Sequence, residues 1–186
     1  NELCVFHDVT FCFDSFLDSV ISLDEKFRLM SEIDGYSGVE IVFPYEVNEV
    51  EMTLQALDKY NLSVAAVNVN VKAEPEFKNG GLTSPEAEIR KKAVQFIKNA
   101  KDFAAEIGAD KVTCCPLGDG YEFAFQYDYA AAWKNLVETI GEAADYSNDM
   151  PLFIEYKPSE TRGRCFVDTA AKALCLINDI KCTNLG

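Results

Sequence analysis

Glycine-rich phosphate loops are missing from this chain. Neither GxGxxG nor a P-loop pattern follows its first apolar runs, which removes the usual support for a nucleotide-binding open sheet. Basic residues are also few: 17 Lys and Arg stand against 31 Asp and Glu, for a formal charge of −14. Phosphate-backbone binding depends on clustered cations, so the expected partners do not include nucleic acid. No apolar run approaches the roughly 18 to 20 residues of a membrane span, and no basic-then-apolar leader precedes the first apolar run. The expectation is a cytoplasmic protein with no membrane partner. The seven cysteines are odd in number and include no CxxC pair, which argues against a thiolate metal site and for reduced core thiols.

What is present is an alternation. At 186 residues and 48% hydrophobic composition, the chain suffices for one core, and residues 1–186 are read as a single domain. Short apolar runs at 3–6, 39–43, 62–71, 111–115 and 152–156 predict strands, and 183–185 opens a sixth. Helical periodicity fills 23–33, 47–59, 85–107, 129–146 and 167–178. Ser22 and Ser84 are the expected N-caps of the helices that follow them, Pro85 takes a first helical position, and Gly108 is a C-cap.

The strands are almost continuously apolar, the pattern of a parallel sheet covered on both faces. An open doubly wound sheet and a (β/α)8 TIM barrel both satisfy that pattern, and the missing phosphate loop favours the barrel. Such barrels run to about 250 residues. The five complete β-then-helix units here predict an incomplete barrel, cut short at its C-terminal end.

Active sites of these barrels lie on the loops after the strands. The run "PLFIEYKPSETRG" places Phe153, Glu155 and Lys157 on one face of a strand, with Leu152, Ile154 and Tyr156 on the other. A carboxylate and an ammonium at the end of a buried strand carry a desolvation cost that a partner or ligand must offset. They read either as a plain ion pair or as a cation ligand beside a substrate hydrogen-bond donor. The loop "CCPLGDGYEFAFQYDY" sets Asp119 between Gly118 and Gly120 and follows it with five aromatics. This suits a sugar pocket, or an Asp-Gly turn over an aromatic cluster. Asn68 and Asn70, amid valines, are either substrate hydrogen-bonders or links between strands. Glu40 is read as a carboxylate paired to a neighbouring strand. His7, the sole histidine, is read as a satisfied core or loop imidazole.

Three ordered motifs, "NGGLTSPEAEIRKKA", "PLGDGYEFAFQYDYAAAW" and "IEYKPSETRG", resemble the xylose-isomerase-like TIM-barrel superfamily of sugar isomerases and epimerases, near its L-rhamnose-isomerase-like branch. The similarity runs from about Gly38 to the end of the chain. It implies a metal-dependent aldose–ketose isomerase or ketose epimerase acting on a small sugar or sugar phosphate. Mn is the leading cofactor, with Mg, Co or Zn as alternatives, and the expected assembly is a homo-oligomer. By the same resemblance Glu155 is a metal ligand and catalytic, and Lys157 is catalytic and contacts substrate near the reacting carbons. Asn70, Asp119 and Tyr121 line the sugar site, and the remaining metal ligands fall beyond Gly186. Two other readings are a non-catalytic sugar-binding barrel and an abasic-site endonuclease. The latter needs a basic surface and several ligand histidines, against a charge of −14 and one His.

Overall fold

The computed structural model describes residues 22–46, 49–160 and 162–186. The expected strand at 3–6 and His7 lie outside them. Four strands, β1 (Gly38–Phe43), β2 (Ser63–Val69), β3 (Val112–Cys114) and β5 (Leu152–Ile154), form one sheet in the order β1-β2-β3-β5. Every pairing in it is parallel. The helices are α1 (Leu23–Ser31), α2 (Val50–Tyr60), α3 (Ala87–Glu106), α4 (Tyr129–Asp145) and α5 (Ala170–Ile180). A separate two-residue ladder pairs β4 (Gly120–Tyr121) with β6 (Arg164–Cys165), antiparallel. The predicted sixth strand begins where the sequence placed it. Leu185 bridges Leu152 in parallel, and the Leu152 amide donates to the Asn184 carbonyl at 3.1 Å.

Register explains the burial. Ile41, Val67, Val112 and Leu152 pair across the sheet and are each no more than 1% exposed. They meet the inward faces of α3 (Ala93, Ile97, Ala100, Ala104), α4 (Leu136, Ile140) and α5 (Leu176) in one cluster, spaced as a single helical stripe requires. The adjacent row is Val42, Asn68, Thr113 and Phe153; it is only half-buried, and Phe153 reaches 42% exposure. Among the described residues one face carries the core against the helices and the other is open. Apolar runs looked continuous because the open face keeps Val42 and Phe153.

The caps follow their chemistry, with one shift. Ser22 accepts the Glu25 amide at 3.2 Å, and Gly108 supplies the positive φ (+79°) that ends α3, a conformation costly to other residues. Ser84, by contrast, does not cap α3. Its hydroxyl accepts the Glu86 amide at 3.2 Å in a tight turn, and the helix starts at Ala87 behind Glu86. Periodicity also gave no hint that Lys101, 1% exposed, belongs to the core. Its ammonium donates to the Ala144 carbonyl at 2.9 Å, satisfying an orphan acceptor in the last turn of α4; burial lowers its pKa.

Gly120 decides whether β4 can meet β6. A Cβ there would lie 2.1 Å from the Arg164 carbonyl oxygen, a backbone atom with no rotamer to yield. Gly120→Ala is expected to lower stability by about 2 kcal/mol, the scale of overpacking, read as a lower urea midpoint at unchanged m-value. A midpoint equal to the parent's would contradict the close approach.

Candidate functional site

All four strands of the sheet point their C-terminal ends at one set of connections, because parallel pairing admits no other arrangement. On the open face the strands present a polar row. Asn68 Nδ2 donates to Thr113 Oγ1 at 2.9 Å, and Thr113 Oγ1 donates to Glu40 Oε1 at 2.6 Å. Glu40 is thus tied to β3 across β2, and Asn68 serves as a link between strands.

One step above that row stands Glu155. Its amide still donates to the Cys114 carbonyl at 3.0 Å, so the ladder holds the backbone, and alternation carries its side chain to the face of Phe153. Glu155 is exposed and Lys157 is half-buried. Among the described residues neither charge is buried, so no desolvation cost falls on them there. Nor do the two pair with each other: the Lys157 ammonium forms an ion pair with Glu160. The two still share an electrostatic neighbourhood around Cys115. Burial pushes that thiol up to about 12; the Glu155 carboxylate adds to the rise, while Lys157 and Lys72 oppose it.

The other expected site residues separate. Asn70 is half-buried, and its Oδ1 accepts the amides of Lys72 and Ala73, both at 3.0 Å. The carbonyl oxygen is thus spent on a turn. Asp119 is fully buried at 0% exposure. Its Oδ1 accepts the Thr83 amide at 2.7 Å and the Thr83 hydroxyl at 2.6 Å, and its backbone carbonyl accepts the Phe166 amide at 2.9 Å. Burial raises its pKa, opposed by hydrogen bonds from Thr83. From this buried position the carboxylate braces the neighbouring loop.

Tyr121 is also placed elsewhere. Its ring packs 5.0 Å from Tyr129 and 5.6 Å from Phe166. It lines a cavity of about 740 Å³ together with Tyr129, Trp133 and Phe166, toward α5. Neither Glu155 nor Lys157 lines that cavity. The loop aromatics divide accordingly, for Phe123 and Phe125 stand 65% and 96% exposed. The reason is the β4–β6 ladder, which turns Tyr121 toward α4 and α5. Two-residue strands carry no periodicity, so the sequence gave no sign of it.

A hard carboxylate oxygen at the end of β5 suits a divalent cation. Among the described residues, however, no three His, Cys, Asp or Glu side chains converge on a cation position. Glu155 offers a single carboxylate at this edge.

A parallel sheet packed on helices along one face, with polar connections at its C-terminal edge, defines part of a β/α barrel. The comparisons agree. Residues 27–186 match the xylose isomerase-like TIM barrel family, and the chain belongs to that family. The xylose isomerase of Thermus thermophilus is 29% identical over 130 residues, 68% of this chain and 34% of that protein. A D-psicose 3-epimerase from Clostridium cellulolyticum H10, solved with D-tagatose, superposes with a TM-score of 0.70 at 14% identity, over 89% of this chain and 56% of that one. An AP endonuclease, family 2, from Brucella melitensis superposes with a TM-score of 0.69 at 19% identity, over 89% of this chain and 62% of that one. The chain therefore spans about a third of the curated relative's length, and among the described residues no helix is long and apolar enough to cross a membrane.

Proposed function

We propose that the full-length protein is a divalent-metal-dependent sugar isomerase or epimerase built on one barrel domain, acting on an aldose–ketose pair or on ketose epimers. The observation that carries this reading is the exposed Glu155 carboxylate on the open sheet face at the end of β5, with Lys157 two residues beyond it. In this reading Glu155 is one metal ligand and Lys157 donates to a sugar oxygen near the reacting carbons. Of the three donors of Lys157, the Glu160 contact takes one and leaves two. Asn70 keeps its amide nitrogen for substrate, and Asp119 and Tyr121 belong to the loop that lines the sugar site. Mn is the first candidate cation, ahead of Mg, Co and Zn; bound, such a cation polarises a sugar carbonyl as a Lewis acid. The L-rhamnose-isomerase-like branch, a cytoplasmic location and a homo-oligomeric assembly complete the proposal.

The test is a screen of aldoses and ketoses with the full-length protein and added Mn2+, followed by NMR in D2O. Conversion of one sugar is expected, with deuterium at the reacting carbon if a carboxylate abstracts a proton and none if hydrogen moves as hydride. Absence of conversion, with cleavage of duplex DNA at an abasic site in its place, would transfer the assignment to the endonuclease-like branch. The charge of −14 weighs against that branch, since phosphate contacts depend on clustered Lys and Arg.

A further inference from the structure

Arg162 lies on the connection from β5 to α5, yet its side-chain contacts belong to other connections. Its side chain is 12% exposed. Nε donates to the Gly118 carbonyl at 3.2 Å, and Nη2 donates to the Lys78 carbonyl. Nη1 stands 3.7 Å from Glu122 Oε1. Gly118 and Glu122 sit on the connection after β3, and Lys78 on the one after β2. Glu122 answers in kind, since its Oε2 accepts the Gly163 amide at 2.9 Å. The Arg162 carbonyl in turn accepts the Glu160 amide at 3.1 Å, where Glu160 holds a φ of +97°. Glu160 is the residue whose carboxylate pairs with Lys157.

We propose that Arg162 is a positioning residue: its guanidinium clasps the connection after β5 onto those after β2 and β3, and through Glu160 it fixes where the Lys157 ammonium stands. A planar fork can donate to two carbonyls on separate segments while facing a carboxylate, and a lysine ammonium at the same place cannot span them. Burial makes the clasp consequential, because displaced carbonyls at Gly118 and Lys78 would lose a charged donor. The inference rests on the sugar isomerase or epimerase reading for its catalytic consequence, though not for the existence of the clasp.

The test uses the full-length protein, its Arg162→Lys and Glu122→Gln variants, hydrogen exchange and steady-state kinetics. In Arg162→Lys the amides of Gly163 and Cys165 are expected to exchange about tenfold faster, while those of Val67 and Val112 keep the parent rate, as a local opening requires. With the sugar that the parent converts, kcat is expected to fall about 10- to 100-fold with KM within about twofold, the cost of a misplaced group. Glu122→Gln keeps an acceptor for Gly163 and is expected to show a smaller version of both effects. Unchanged exchange at Gly163 and Cys165 overturns the clasp. Acceleration spread equally through Val67 and Val112 overturns it too, by showing a global loss of stability. If the parent converts no sugar, the functional reading fails by itself and local exchange still decides the clasp.

Discussion

Glu155→Ala in the full-length protein is expected to abolish stoichiometric binding of divalent metal and to lower kcat/KM by roughly three orders of magnitude. The size follows from the role: a Lewis-acid cation supplies several kcal/mol of transition-state stabilisation, and each 1.36 kcal/mol is a factor of ten in rate. Folding should be unaffected, because the side chain is exposed and its structural contribution is the amide that donates to Cys114 at 3.0 Å. Glu155→Gln should behave much like the alanine variant, since a neutral amide is a poor substitute for an anionic oxygen toward a hard cation. Metal analysis of purified parent and variants, beside their thermal transitions, separates ligand loss from unfolding. A variant that retains the parent's metal content and activity would sink the proposed role.

Asp119→Ala is expected to cost about 3 kcal/mol of stability, for a different reason. Truncation leaves the Thr83 amide and hydroxyl without their acceptor in a site with no solvent, and each orphaned donor costs about 1–3 kcal/mol. Asp119→Asn preserves an acceptor for Thr83 and should recover most of the loss. The pair also tests the titration. Burial raises the folded pKa of Asp119 above its ordinary 3.8, so in the window between 3.8 and that raised value the folded state binds more protons than the unfolded one. Its contribution to stability is fully present below 3.8 and is lost as pH rises through the folded pKa. Urea midpoints of the parent, relative to those of Asp119→Asn, should fall with rising pH across that window. A difference independent of pH would contradict a raised pKa.

Much of the architecture was legible because it depends on local chemistry and on burial of one face. Leu23–Ser31 announced itself by a capping serine, Ala87–Glu106 by apolar spacing and a terminal glycine, and the strands by β-branched runs. Ser84 misled because a serine before Pro-Glu can serve a tight turn as readily as a helix end, and only the placement of Glu86 chooses between them. Arg162 and Lys101 went unread for a shared reason: each satisfies carbonyls distant in sequence, and nothing in a composition or a period signals a long-range acceptor. Thr83 was invisible on the same grounds.

The sequence alone determined the order of β and α units, the parallel sheet, and the position of Glu155 at a strand's end, since side-chain alternation and hydrophobic spacing are properties of the chain itself. Tertiary structure alone decided which polar residues share a place. Asp119 and Tyr121, two positions apart, part company because one is buried against Thr83 and the other is turned by the β4–β6 ladder toward α4 and α5. Lys157 pairs with Glu160 and not with Glu155. Those outcomes depend on contacts between segments far apart in the chain, whose energies exist only after the sheet has brought them together.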